Sequence, residues 1–163
     1  MIEIENISEL PTKPAVYALC DKSNNIAYIG IATKLKQRIK QHLVRQDSSV
    51  TTGQSAVIIN PDNIKFVKWW EDALFSDKDY LIAAEEIAID ILKPIYRSLK
   101  GISTENPALK LLNDEKFVNK TTQIFQKKPT GIFTIQTLDD AIIRISELEK
   151  RLTDIEKHLK LKF

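Results

Sequence analysis

Few residues in this sequence could do chemistry together. Lys34, Lys36, Arg38, Lys40 and Arg45 follow one another with no acidic residue among them, and Lys34, Arg38, His42 and Arg45 recur at three- and four-residue steps. On a helix that spacing makes a basic stripe along one face, a local footprint that engages phosphate groups. Further on, Glu85 has Leu81, Ile82, Ala88 and Ile89 as its neighbours three and four residues away, whereas Glu86 has Ala83 and Asp90 and lies closer to the polar side. A carboxylate among apolar neighbours is costly unless a metal ion or a basic side chain meets it. Tyr17 and Tyr28 fall in strand-like stretches, where an aromatic residue is ordinarily core packing. Singly, a helical arginine is a solvated charge and a Glu-Glu pair is surface. Their joint arrangement is what points to a site.

The elements that position these residues are readable from pattern. Pro11 and Pro14 precede the β-rich run Ala15 to Asp21, the polar cluster Lys22-Ser-Asn-Asn25 makes a turn, and Ile26 to Ala32 resumes, so a hairpin is predicted. Leu35, Ile39 and Leu43 lie four residues apart within a predicted first helix over 34–46. The stretch 47–63, with Ser48, Ser49, Thr51, Thr52 and Gly53, reads as a long loop and as the place to look for substrate contacts. Ile64 to Trp70 is the expected third strand. Asp77 to Leu92 is a second helix, capped by Asp77 or Ser76, with Leu81, Ala84, Ala88 and Ile91 on its apolar side and Pro94 as its stop. A further helix is expected from Pro107 to about Phe125, with Lys127-Lys-Pro-Thr-Gly131 as a breaker. The order β-β-α-β-α implies an α+β fold with a small antiparallel three-stranded sheet flanked by helices and followed by a helical tail.

The tail has the cleanest periodicity of the chain. Leu138, Ala141, Ile145, Leu148, Leu152, Ile155 and Leu159 alternate steps of three and four, filling a and d of three heptads, and Thr137 with Asp140 resembles a capping box. Arg144, Arg151 and His158 then fall at g, and Ile142, Glu149 and Glu156 at e, so a parallel homodimer could pair Arg144 with Glu149 and Arg151 with Glu156. The alternative is a helix packed on its own domain. The expected organisation is a domain over 1–100, a helical linker region over 101–134 and a coiled-coil helix over 135–163.

Taken together, the motifs resemble the GIY-YIG nucleases. Val16-Tyr17 and Tyr28-Ile29-Gly30 look like the paired strands that name that family, with Ala15 where the first glycine usually stands. Arg38 lies eight residues beyond Gly30, the place of the family's catalytic arginine, and His42 is one turn further on. Glu85 lies nine residues ahead of Pro94-Ile95-Tyr96-Arg97, as the family's metal-binding glutamate precedes a Pro-x-Tyr-Asn ending. The match covers roughly residues 12 to 98. It implies a phosphodiester-cleaving enzyme in which Glu85 holds one Mg2+ or Mn2+, Arg38 clamps the phosphate, Tyr17 and Tyr28 orient the attacking water, and His42 relays protons by titrating near neutrality. Lys34, Lys36, Arg45 and Arg97 are the expected substrate-binding cations. Ile31 stands where many members carry an assisting lysine, and Arg97 replaces the usual asparagine.

Composition sets the remaining bounds. The 163 residues, 43% of them hydrophobic, suffice for one real core. With 24 basic against 22 acidic side chains the formal charge is only +2, and the first hundred residues carry thirteen of each, so any nucleic-acid surface is a patch. A single cysteine, Cys20, excludes an internal disulfide framework and an all-cysteine zinc site, which suggests a reducing compartment. With an acidic amino terminus and no apolar run long enough for a bilayer, a cytoplasmic location is expected and membrane partners are not. The expected partner is nucleic acid, DNA rather than RNA. Two rivals remain: a GIY-YIG-shaped module that binds nucleic acid without turnover, and a scaffold whose business is the coiled coil.

Overall fold

The computed structural model describes residues 1–54, 57–97, 102–136 and 138–162, with backbone alone at 138–141, 143, 144, 161 and 162. Its centre is β2 (Ala15–Cys20), whose six residues are all buried. Asp21 makes the turn that follows: its carboxylate accepts from the N–H groups of Ser23 and Asn25 at 2.9 Å, and Asn24 takes the left-handed conformation (φ 65°). The chain then returns as β3 (Ile26–Ala32), antiparallel to β2, with Tyr17 opposite Gly30 and Leu19 opposite Tyr28. On the other side of β2 lies β4 (Phe66–Trp70), also antiparallel.

The expected three-stranded antiparallel sheet is too small. Among the described residues the sheet has five strands in the order β1-β5-β4-β2-β3, and it is mixed. β1 (Ile2–Ile4) runs parallel to β5 (Gly131–Thr134), and β5 runs antiparallel to β4. Both added strands are three or four residues long, too short to show alternation, and each finds its partner far away in the chain. The segment after 101 is therefore not helical throughout.

Helices cover both faces of the sheet. On the face of Tyr17, Leu19, Val67 and Trp69 pack α1 (Leu35–Lys40) and the stretch around α2 (Ser49–Thr52). The predicted first helix is one α-helical stretch and then a π-helical turn, Gln41–Arg45, ended by Gln46 in the left-handed region. On the opposite face Val16, Ala18 and Trp70 pack against α3 (Lys78–Leu92) and α5 (Glu115–Gln126). Asp77 caps α3 by accepting from the N–H groups of Asp79 and Tyr80. Ala83, Ala84 and Ala88 are fully buried, small enough to let this helix lie close to its neighbours. The single helix expected from Pro107 is instead α4 (Ala108–Leu112) and α5, separated where Asp114 accepts from the N–H groups of Lys116 and Phe117 and starts a new helix.

α6 (Leu138–Lys162) is the long carboxy-terminal helix. Every side chain from Ile145 to Lys160 is exposed. The capping residue expected at Thr137 lies outside the described residues, as do the side chains of Leu138, Asp140, Ala141 and Arg144. Among the described residues no helix is long and apolar enough to cross a membrane.

One close approach ties β5 to the core. Gly131 faces Trp69 across the ladder, and a Cβ there would run into the Cζ2 and Cη2 atoms of the buried indole. Gly131→Ala should lower the unfolding free energy by about 1–3 kcal/mol. In urea the midpoint would shift while the slope stays constant; an unchanged midpoint would mean that the indole can move aside freely.

Candidate active site

The site forms where the edge strand β3 meets helices from both faces of the sheet. Tyr17 comes from β2, Tyr28 from β3, Arg38 from α1, His42 from the π-helical turn and Glu85 from α3. α1 has no side-chain cap; its first N–H groups, those of Leu35 and Lys36, donate to the carbonyls of Lys13 and Pro11 at 3.2 and 3.0 Å. That docking fastens α1 to the chain entering β2 and so sets Arg38 against Tyr17.

Tyr17 is fully buried, and its ring occupies the space over Gly30. A Cβ at Gly30 would stand 2.6 Å from Tyr17 Cζ and 3.0 Å from Tyr28 Cε1, closer than atoms can pack. Glycine there is a requirement of the two tyrosines. Tyr17, Tyr28 and His42 form a three-ring cluster with centroid separations of 5.6 to 6.3 Å. The Tyr17 hydroxyl lies 2.6 Å from His42 Nε2, and His42 Nδ1 lies 2.7 Å from Ser48 Oγ. Arg38 Nη1 donates to Gln41 Oε1 at 3.0 Å.

Burial governs the electrostatics. It raises both phenols above their usual range, Tyr28 and Glu85 adding to the effect on Tyr17, while the Arg38 charge opposes it. Burial pushes the Glu85 carboxyl up to about 7, helped by the adjacent Glu86 and resisted by Arg38. It also pushes His42 down to about 4, with Arg38 acting the same way. Arg38 stays charged, since the phenols around it outweigh its own loss of water.

Residues 13–100 match the GIY-YIG catalytic domain family, more than half of the chain. The chain belongs to the GIY-YIG endonuclease family. It is similar to UvrABC system protein C of Aquifex aeolicus, 35% identical over 115 residues, which cover 69% of this chain and 19% of that protein. The protein of the same name from Finegoldia magna is 27% identical over 126 residues, 76% of this chain and 19% of the relative. That of Methanococcoides burtonii is 31% identical over 88 residues, 54% and 12%. The chain thus spans a fifth or less of the length of these curated relatives.

Five of the sequence-derived site residues of this GIY-YIG chain, Tyr17, Tyr28, Arg38, His42 and Glu85, come together, and the others do not join them. Lys34 is exposed at the start of α1 and Lys36 is half-buried. Arg45 is exposed and faces Asp47 at 3.8 Å. Arg97 pairs with Asp90 at 3.0 Å on the outside of α3. The continuous basic stripe is absent, because the π-helical turn shifts the phase of the helix and carries His42 inward while Arg45 stays outside. His42 is buried and held neutral, so it does not titrate near neutrality as its residue type suggests. Ser48, expected as a substrate contact, is 2% exposed and stands behind His42. Gln41 is a partner that sequence reasoning missed, although its three-residue spacing from Arg38 was the available signal.

Glu85 makes no hydrogen bond or ion pair with any described residue, and among the described residues no three His, Cys, Asp or Glu side chains gather. A lone hard oxygen donor fits Mg2+ or Mn2+, which keep several waters and share a phosphate. It does not fit a structural zinc ion.

A raised carboxyl binds its proton in the folded chain between about 4.5 and 7, where the unfolded chain has lost it, so its contribution to stability falls as pH rises through that window. His42 runs the other way below its ordinary value of 6.5, so the two partly cancel in the wild type. Compared with the wild type, Glu85→Gln should gain stability between pH 4.5 and 7, on the order of 3 kcal/mol. Urea unfolding at several pH values checks this; parallel curves for the two proteins would contradict the burial of Glu85.

Proposed function

We propose that this chain is a divalent-metal-dependent endonuclease that hydrolyses phosphodiester bonds in DNA, with one Mg2+ or Mn2+ held by Glu85. The observation that carries this reading is the convergence at one sheet edge of Tyr17, Tyr28, Arg38, His42 and Glu85, the last with no hydrogen-bond or ion-pair partner among the described residues. Likeness to UvrABC system protein C favours DNA over RNA.

The bound ion would supply Lewis acidity at the phosphate and stabilise charge on the leaving oxygen. Arg38 is held by Gln41 and by the hydroxyls of Tyr17 and Tyr28, and its guanidinium would meet the phosphate oxygens, where a planar fork outperforms an ammonium. Tyr17 and Tyr28 hold the water in line, and Tyr17 passes protons to His42, which is neutral and able to accept. Ile31, where a lysine would assist, packs among apolar residues on the α3 side, so proton handling rests on the Tyr17–His42 pair. Lys34, Lys36 and Arg45 would meet the DNA backbone beyond the scissile bond. Arg97 would join them only by leaving Asp90.

Supercoiled plasmid with Mg2+ or Mn2+ should be nicked or linearised by the wild type. EDTA or Glu85→Gln should lower the rate by at least about 100-fold. The missing lysine at position 31 also favours a second reading, a nucleic-acid-binding module without turnover. Salt-dependent binding with no cutting under any of these conditions would establish that reading instead.

The exposed stripe of α6, Ile145, Leu148, Leu152, Ile155 and Leu159, each more than half exposed, would be covered by a second copy in a parallel coiled coil that also includes Leu138. Charges favour the parallel arrangement, because an antiparallel one would set Arg144 and Arg151 against arginine and Glu149 against glutamate. Two active centres on one duplex would then make double-strand breaks. Leu148→Glu with Leu152→Glu should give a monomer by light scattering and shift the product from linear to nicked DNA. A wild type that is already monomeric at micromolar concentration would rule out the dimer.

A further inference from the structure

We propose that Ser48 is a positioning residue of this site, holding His42 in the tautomer protonated on Nδ1 so that Nε2 accepts the hydroxyl proton of Tyr17. Its catalytic consequence rests on the nuclease reading, whereas the tautomer rests on the hydrogen-bond chain from His42 through Ser48 to Thr51.

The polarity of the buried chain is set at its far end. Thr51 Oγ1 donates to the carbonyl of Ser48 at 3.1 Å, and a carbonyl can only accept. In the proposed polarity Thr51 keeps its single proton on that carbonyl and accepts at its 2.9 Å contact with Ser48 Oγ, so Ser48 donates there. Ser48 also has one proton, and at 2.7 Å from His42 Nδ1 it therefore accepts. Nδ1 then carries the hydrogen. A neutral imidazole has only one, which leaves Nε2 bare, 2.6 Å from the Tyr17 hydroxyl that donates to it. Burial and the Arg38 charge keep the ring neutral.

A second observation agrees. Ser48 stands at the N-cap of α2, where a serine oxygen ordinarily accepts from an N–H of the first turn, yet its side chain makes no capping bond. The hydroxyl is turned to His42 instead.

With this polarity the proton transfers balance. As the water oxygen bonds to phosphorus, its proton moves to Tyr17 Oη while the hydroxyl proton of Tyr17 moves to Nε2. The leaving oxygen departs with the bonding electron pair and takes a proton from solvent, and His42 later returns its own to solvent through Tyr17. With the opposite polarity Nε2–H would point at Tyr17, and nothing would receive the proton.

The test is nitrogen NMR on the full chain labelled at histidine, with exposed His158 as the internal reference. His42 in the wild type should show a protonated Nδ1 and a bare Nε2 at pH 7. In Ser48→Ala that preference should be lost and kcat on plasmid should fall roughly 10- to 100-fold with KM unchanged, short of losing a general base outright. Ser48→Thr should restore both. A wild-type His42 protonated on Nε2, or a Ser48→Ala protein that keeps either the tautomer or full turnover, would overturn the proposal. If Ser48→Ala does not fold, Thr51→Val removes the terminal donor and should weaken the same preference. A wild type that never cuts would remove the nuclease reading, while the nitrogen spectrum would still decide the tautomer.

Discussion

Tyr17 belongs to a central strand buried on both faces, and its ring fits only because Gly30, directly across the ladder, has no side chain. The rest of the site follows from that placement. A buried phenol hydroxyl needs a partner, since leaving it unsatisfied costs about 1–3 kcal/mol. The partner is His42, itself buried and needing partners for both ring nitrogens. Ser48 meets the second nitrogen, and Thr51 and a backbone carbonyl end the chain. The π-helical turn belongs to the same requirement, because it carries His42 inward onto the tyrosine.

Around this network burial favours the neutral form of every group, and only Arg38 keeps its charge, because the phenols around it outweigh its loss of water. The two phenols and the Glu85 carboxyl are raised and His42 is lowered, while the guanidinium keeps its charge. The free site is thus a nearly uncharged pocket around one fixed cation. An arriving cation would ionise Glu85, and an arriving phosphate would meet Arg38 in surroundings where water screens little. These are the conditions under which electrostatic stabilisation of a transition state is strongest. They come at some expense in stability, because a carboxyl without a hydrogen-bond or ion-pair partner among the described residues is kept among apolar neighbours.

The elements that the pattern revealed are those whose signals are local. The hairpin carries strand residues on both sides of an Asp-initiated turn, α3 carries its cap and its stop, and the Glu85 neighbours follow from counting along one helix. β1 and β5 escaped because three or four residues show no period, and their pairing joins chain segments more than a hundred residues apart. Asp114 splits what reads as one helix, because a polar pair within an amphipathic stretch is as compatible with a surface position as with a new cap. The inward turn of His42 was invisible for a related reason: one wider helical turn changes which face a residue occupies, and spacing assumes a uniform helix.

Residue types and short spacings alone therefore pointed to the family, the hairpin, the two helices that bear Arg38 and Glu85, and the five side chains that the fold brings together at the candidate site. Side-chain types and helical period are properties of neighbouring residues, so they survive without knowledge of the fold. Protonation preferences and the hydrogen-bond partners of the site were decided by the tertiary structure. They depend on how much water is removed and on which distant groups meet, and only packing of the sheet against both helix layers sets these. That packing makes Ser48 a support for His42 rather than a loop hydroxyl, and it ties Arg97 to Asp90 rather than to the site.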